Sequence, residues 1–168
     1  DQVQSRGLGD VYKRQGRMSS PEAILESLSN EVEKNELDGI RILVSAGPTR
    51  EPIDPVRFIS NYSSGKMGYA LAESARNLGA DVELISGPVC IKMQENIKIT
   101  SVETSGEMLD AVLEKIPYCD VFISAAAISD YRPSHKLTEK HKSSDGELVI
   151  KLERGEDILK LAKETKAG

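Results

Sequence analysis

The segment Ile59-Ser60-Asn61-Tyr62-Ser63-Ser64-Gly65-Lys66-Met67-Gly68 gathers the residue types that bind phosphate. Free backbone N–H groups at a helix start point at an anion, and the helix dipole favours negative charge there. Gly65 lets the backbone come close, and Lys66 can balance phosphate charge. An apolar run, Ile40 to Ala46, precedes the segment and breaks at Gly47-Pro48. After it, Met67, Leu71, Ala75 and Leu78 recur at helical spacing and predict a helix with these residues as its apolar stripe. A strand, a long polar loop and a helix opened by Ser-Ser-Gly-Lys make half of a nucleotide site. The plainer alternative is a serine-rich helix cap. Neither standard phosphate motif fits: a Walker loop needs glycine and Ser/Thr where Ser60 and Met67 stand. A dinucleotide fingerprint needs closely spaced glycines after the first strand, but Gly47 is followed by Pro48-Thr49-Arg50.

The elements that must position this loop follow from periodicity. Ile40–Ala46 predicts a first strand buried on both faces, as in a parallel sheet. The loop from Gly47 to Ser64 is long, which marks functional loops, and Pro48, Pro52 and Pro55 stiffen it. Arg50 and Arg57 supply cations there, unless they pair with Glu51 and Asp54. Asp81–Ser86 predicts a second strand closed by Gly87-Pro88, and Ile97–Val102 a shorter third. A helix follows from Ser105 with Met108, Leu109, Val112 and Ile116 on one face, then a fourth strand from Asp120 to Ala126. Lys136 to Asp145 is charged and aperiodic and reads as a mobile flap; Glu147–Leu152 alternates like a half-exposed strand, and a last helix follows Ile158.

Alternating strands and helices imply parallel strands and right-handed crossovers. The expected fold class is therefore α/β, a Rossmann-like doubly wound, mostly parallel sheet. In such sheets the ligand crevice lies outside the carboxyl ends of the strands. The segments Gly47–Ser64, Ser86-Gly87-Pro88 and Ala127–Asp130 should then converge on one rim.

Bulk properties exclude several classes. The 168 residues suit one domain with a real core, or part of a larger one. A net charge of −5 argues against a nucleic-acid or anionic-membrane surface, since both want a basic face. The longest apolar run, Val121 to Ile128, is far short of the ~20 residues of a membrane span. Cys90, Cys119, His135 and His141 show no metal-ligand spacing, and free thiols are the expectation for a cytoplasmic protein. No secretory leader is expected, because the beginning of the chain has no apolar core segment. Residues 1–15 are polar and without period and read as an unassigned, artefactual leader. Ser20-Pro21-Glu22 predicts a helix start, with Ile24, Leu25, Leu28 and Val32 on one face, that serves as a connector.

A resemblance sharpens this reading. Ser45-Ala46-Gly47-Pro48-Thr49-Arg50-Glu51-Pro52-Ile53-Asp54-Pro55-Val56-Arg57, running on into Ile59–Gly68, resembles the signature of phosphopantothenoylcysteine synthetase, the CTP-dependent ligase half of the bifunctional bacterial coenzyme A biosynthesis protein. Gly16-Arg17-Met18 resembles the closing segment of the flavin-dependent decarboxylase that precedes it. The implied layout is a linker with a decarboxylase remnant over residues 16–39 and the synthetase over 40–168, with FMN confined to the absent decarboxylase half. Ala125-Ala126-Ala127-Ile128-Ser129-Asp130-Tyr131 resembles the family's Ala-Ala-Val-Ala-Asp-Tyr segment, where small side chains let a base lie on the backbone. Asp130 is then a nucleotide ligand through sugar hydroxyl or metal; read alone, the segment is an alanine-rich strand end. Glu139-Lys140-His141-Lys142-Ser143 resembles the family's Lys-x-Lys-Lys flap, with Ser143 in place of the last lysine. Lys140 carries over as catalytic; read alone, the run is a solvated charge patch. Arg154-Gly155-Glu156-Asp157-Ile158 stands where the family has Asn-Pro-Asp-Ile, a turn that contacts the nucleotide; Asp157 and Ile158 match, Gly155 and Glu156 do not, and the resemblance implies all four as nucleotide-binding. The chain stops at Gly168, before the family's later strands and lysines, so a fragment with its C-terminal part missing is expected.

The implied reaction joins 4′-phosphopantothenate to L-cysteine through an acyl cytidylate made from CTP. Lys140 and Mg2+ or a similar cation would stabilise the triphosphate, and Asn61 would hold and polarise the acyl cytidylate. Ser63, Ser64, Gly65 and Lys66 would bind phosphate, and Arg57 and Asn61 the acyl substrate. A homodimer through the synthetase domain is also implied. Two other readings stay open. Tyr62 and Lys66 have the Tyr-x-x-x-Lys spacing of an NAD(P)-dependent reductase, although Gly65 interrupts it. An inactive nucleotide-binding fragment is the other.

Overall fold

Strand β1, Arg41–Ala46, is buried along both faces after its first residue, which places it inside the sheet. Its side chains alternate as a strand requires. Ile42, Val44 and Ala46 join one apolar cluster, and Leu43 joins another on the opposite face. The computed structural model describes residues 20, 36–92, 96–142 and 146–167. The leader, the Gly16-Arg17-Met18 segment and, Ser20 apart, the connector helix lie outside these residues, as do Ser143 to Asp145 of the flap.

The chain continues as β2 (Arg50–Pro52), β3 (Phe58–Ser60), α1 (Lys66–Asn77), β4 (Asp81–Ser86) and β5 (Lys98–Ser101). Then come α2 (Ser105–Lys115), a single 3-10 turn at Ile116–Tyr118, β6 (Val121–Ser124), β7 (Tyr131–Pro133), β8 (Leu152–Arg154) and α3 (Ile158–Ala167). The central sheet runs β5-β4-β1-β6, and every pairing in it is parallel. Helix α1 packs with the cluster of Val44 and Leu84, and α2 and α3 with the cluster of Leu43 and Ile85. This is the expected doubly wound α/β sheet. The chain leaves β1 toward β4 and β5 and returns to β1's other side at β6, so the strand order reverses between β1 and β6. No helix among the described residues is long and apolar enough to cross a membrane.

Three local expectations are corrected. Of the apolar stripe expected on α1, Ala75 is buried, but Met67 is 72%, Leu71 37% and Leu78 39% exposed. The buried face is Gly68, Tyr69, Ala72 and Ala75. The reason is the closeness of the helix to β1. A Cβ on Gly68 would sit 2.5 Å from the Ala46 Cβ, so the helix meets β1 backbone to backbone there, and the buried Tyr69 reaches past it to Ser86. Second, the loop from Gly47 to Ser64 contains a hairpin, β2 pairing antiparallel with β3, with Arg50 opposite Ser60. Asp54 makes its turn: Oδ1 accepts from the Val56 and Arg57 amides, both at 2.8 Å. Third, the strand expected at Glu147–Leu152 lies later, at Leu152–Arg154, antiparallel to β7. Alternation located the stretch, and pairing with Tyr131–Pro133 chose which residues of it extend into a ladder.

Candidate functional site

The loops after β1, β4 and β6 meet where the strand order reverses. Gly47 turns the chain out of β1 with φ of 76°, a left-handed conformation that suits glycine. Gly87 passes beneath Pro48 so closely that a Cβ would lie 1.8 Å from the Pro48 carbonyl oxygen. On the other side the ladder between β1 and β6 continues past the strands. The Ala127 N–H donates to the Gly47 carbonyl at 2.8 Å and the Thr49 N–H to Ala127 at 3.4 Å. Thr49 is fully buried, and its Oγ1 accepts from the Ser129 N–H at 3.0 Å. Ser60 Oγ donates to the Thr49 carbonyl at 2.7 Å, which ties the hairpin's return strand to the same point. The three expected segments thus form one rim.

Asn61 leaves the hairpin at the centre of that rim. Its Nδ2 donates to the Ile128 carbonyl at 2.9 Å and to the Ala127 carbonyl at 3.5 Å. Both partners only accept, so the amide's NH2 end must face them. Oδ1 therefore points away, and no group among the described residues donates to it.

The Ser-Ser-Gly-Lys segment opens α1 as expected, but it is not a serine cap. Gly65 holds the N-cap position with φ of 74°, and no side chain caps the helix. The Ser63 and Ser64 hydroxyls accept from the Gly65 and Lys66 amides, at 3.2 and 3.5 Å. Lys66 is exposed at the first helical position, beside the dipole's positive end. Tyr62 stands fully exposed in the loop before the left-handed Gly65, so Tyr62 and Lys66 do not share a helix. That removes the geometry a reductase pair requires.

Ala125, Ala126 and Ala127 are half-buried at the end of β6, and Asp130 is exposed just beyond. The Gly155 N–H donates to the Asp130 carbonyl at 2.8 Å, which brings the turn before α3 against this end of the sheet. A cleft of about 210 Å³ lies between them, lined by Ser124, Ile128, Asp130, Gly155, Glu156 and Asp157. Two residues of that turn also have structural tasks. Asp157 Oδ1 accepts from the Lys160 N–H at 3.0 Å at the start of α3, and Ile158 is buried in the core beside α2.

Lys140 is exposed, and no hydrogen bond or ion pair joins it to the rim among the described residues. The flap backbone is instead tied to the hairpin turn. The Leu137 N–H donates to the Ile53 carbonyl at 2.8 Å, and Arg57 Nη2 to the His141 carbonyl at 2.9 Å. Arg57 Nη1 also pairs with Asp54 Oδ2 at 3.1 Å, so the ion-pair alternative holds for this arginine. It does not hold for Arg50, whose guanidinium lies 4.7 Å above the Phe58 ring. Glu51 is buried and accepts from the Ser105 N–H at 2.8 Å, at the start of α2. Burial pushes the Asp54 carboxyl up, but the Val56, Arg57 and His141 amides and the Arg57 charge outweigh it, and its pKa is lowered.

Sequence reading missed Ser45, Thr49, Ser60 and Ser129, which stitch the rim. Their signal was polarity beside an apolar run, since buried polar groups must find partners. Ser45 and Thr49 are both fully buried, and Ser45 Oγ accepts from the Ala126 N–H at 3.4 Å. Among the described residues no three His, Cys, Asp or Glu side chains gather as a metal site.

Residues 37–168 match the family described as DNA/pantothenate metabolism flavoprotein C-terminal domain. The coenzyme A biosynthesis bifunctional protein CoaBC of Haemophilus influenzae is 45% identical over 152 residues, which are 90% of this chain and 38% of that protein. The crystal structure of the C-terminal domain of a CoaBC superposes with a TM-score of 0.69 at 49% identity, covering 79% of this chain and 62% of that one. The DNA/pantothenate metabolism flavoprotein from Streptococcus pneumoniae gives the same TM-score at 28% identity, over 77% and 66% of the two chains. The chain therefore spans about two fifths of the length of the curated relatives it matches. With its C-terminal four fifths inside that match and its rim built from the same unbroken stretch, this chain belongs to the DNA/pantothenate metabolism flavoprotein C-terminal domain family.

Proposed function

We propose that this chain is part of a phosphopantothenoylcysteine synthetase, a ligase of coenzyme A biosynthesis that uses CTP. The observation that carries the reading is the Asn61–Ile128 hydrogen bond, which joins the serine-glycine-lysine loop to the alanine-aspartate turn at one helix start. The kinship with CoaBC proteins, at 45% identity, supports the choice of reaction.

In the first step a carboxylate oxygen of 4′-phosphopantothenate attacks the α-phosphorus of CTP. The bond to the β-phosphate breaks and pyrophosphate leaves. In the second step the cysteine amine attacks the acyl carbon, the acyl C–O bond breaks, CMP leaves and the nitrogen gives up its proton. Such chemistry depends mostly on positioning and charge stabilisation.

Ser63, Ser64, Gly65 and Lys66 hold phosphate through amides and charge at the α1 start. The half-buried Ala125, Ala126 and Ala127 offer the small side chains of a bed for the base, next to the cleft that Ser124, Ile128 and Asp130 share with Gly155 and Glu156. Asp130 is an exposed carboxylate on this rim, beside Glu156 and Asp157 in the same cleft, and it would meet the ribose or a cation bound to the triphosphate. Mg2+ is commonly held by one or two carboxylates plus substrate phosphates, which suits a rim without a cluster of metal ligands. Such an ion would neutralise charge on the triphosphate. Polarising the acyl carbonyl requires a donor, and both Asn61 N–H groups already face carbonyls. Its free Oδ1 suits the opposite task, accepting an N–H of the incoming amine and aiming the nitrogen lone pair.

A quenched single-turnover assay tests the reading: pyrophosphate and CMP should appear in sequence from CTP with phosphopantothenate and cysteine, and much less from ATP. Absence of both products, with CTP still bound, would favour the second reading of a nucleotide-binding fragment. That reading draws its support from the 38% share of the relative that the chain covers. The homodimer stays part of the proposal, and light scattering of the chain with and without CTP would measure it.

A further inference from the structure

The hairpin turn and the flap are joined more firmly than a solvated run of charge requires. The Asp54 side chain is completely buried, and Arg57 is its charged partner. Oδ1 accepts two turn amides and Oδ2 accepts Arg57 Nη1, so the guanidinium is fixed in direction. The other nitrogen of that fork reaches the His141 carbonyl across 84 residues of sequence. Four residues earlier in the flap, the Leu137 amide is held by Ile53. Lys140 lies between these two anchors.

We propose that Asp54 and Arg57 form a latch that sets the backbone at Lys140, and that they are positioning residues for the CTP-consuming step. The proposal rests on the ligase reading and assigns Arg57 a different task from contact with the acyl substrate. The physical case is one of geometry. The planar guanidinium reaches Asp54 and His141 with separate nitrogens, which a single ammonium cannot do. A long lysine acts on developing charge only if its base is held still, and a misplacement of about 1 Å can cost about 100-fold in rate. Asp54 is the buried half of the pair and Arg57 is partly exposed, so loss of Arg57 leaves a buried carboxylate uncompensated and loss of the Asp54 charge leaves the guanidinium free to turn away.

The test uses the full chain with Arg57→Lys, Asp54→Asn, Lys140→Ala and the double variant Arg57→Lys/Lys140→Ala. Arg57→Lys keeps a cation beside Asp54, so folding is retained even if Asp54→Asn is unstable. Two quantities are read: single-turnover pyrophosphate release, and the rate of tryptic cleavage after Lys140 in protein whose thermal transition is intact. The latch predicts that Arg57→Lys and Asp54→Asn each slow pyrophosphate release about 10- to 100-fold, leave the KM for phosphopantothenate within about twofold, and add nothing once Lys140 is alanine. Cleavage after Lys140 should rise about tenfold, since it follows the population of the released flap. A cost of Arg57→Lys that persists in the Lys140→Ala background, or a raised phosphopantothenate KM with unchanged cleavage, would overturn it in favour of direct substrate contact. If the unaltered chain releases no pyrophosphate, the ligase reading fails. Cleavage then decides the latch alone, and equal rates in the folded variants would end it.

Discussion

Asn61 shows how much one hydrogen bond decides. With both N–H groups turned to the carbonyls of Ala127 and Ile128, the side chain presents an acceptor to whatever occupies the rim. Asn61→Asp would set a carboxylate against those two carbonyls and break the stitch. Pyrophosphate release should then stay within about threefold while amide formation falls about 100- to 1000-fold, so acyl cytidylate accumulates in a rapid-quench trace. Because the proposed contact is to an N–H, breakdown of that intermediate by an added thiol should be spared. Equal slowing of both nucleophiles would return Asn61 to the task of polarising the carbonyl. A second residue-scale prediction concerns pH. Asp120 accepts from the Arg41 side chain and from its amide, and its pKa falls from 3.8 to about 2. A lowered carboxylate pKa stabilises the fold above the unfolded value and loses that contribution as pH falls through the folded one. Stability should therefore drop between pH 3.8 and about 2, and Asp120→Asn should flatten that part of the curve in urea titrations. The effect is small, since the pair is solvent-exposed.

At the scale of elements, the seating of α1 on β1 sets the distance from the helix start to the rest of the rim. Gly68 is the contact point, and a methyl there meets Ala46 and the Ser45 carbonyl. Gly68→Ala should lose about 1–3 kcal/mol in chemical denaturation despite alanine's better helix propensity. Met67→Lys, on the exposed stripe, should stay within about 0.5 kcal/mol. The reverse ranking would mean that the helix packs through its bulky stripe. The periodicity of Met67, Leu71, Ala75 and Leu78 marked a helix, but of the four only Ala75 lies on its buried side. Spacing reports where apolar residues recur, not how near the sheet stands, and at this distance size prevails over hydrophobicity. The β2–β3 hairpin was hidden for a related reason. Pro52 before its turn and Pro55 within it read as a loop, whereas the Asp54 carboxylate organises the turn by accepting from the Val56 and Arg57 amides.

For the whole molecule, a net charge of −5 leaves no field to gather phosphate, so in the proposed reading recognition would fall to Lys66, Lys140 and the amides at the α1 start. Binding of the proposed nucleotide should then be read as stabilisation. CTP at about a hundred times its Kd should add about 2.7 kcal/mol to unfolding, with smaller gains from ATP or GTP at equal concentration. Equal shifts for all three would detach the alanine bed from base recognition. The alternation of the central strands with their helices, the parallel sheet and the sharing of one rim by the segments after β1, β4 and β6 were legible in the chain, whereas β2, β3 and β7 were not. They follow from local period, from the glycines and prolines at strand ends, and from the rule that such sheets reverse their order beside a crevice. The sequence could not name the buried face of α1, the free end of Asn61 or the His141 carbonyl that Arg57 reaches besides Asp54. Each of these depends on a distance between residues far apart in the chain, 61 with 128 and 57 with 141, which only the packed fold sets.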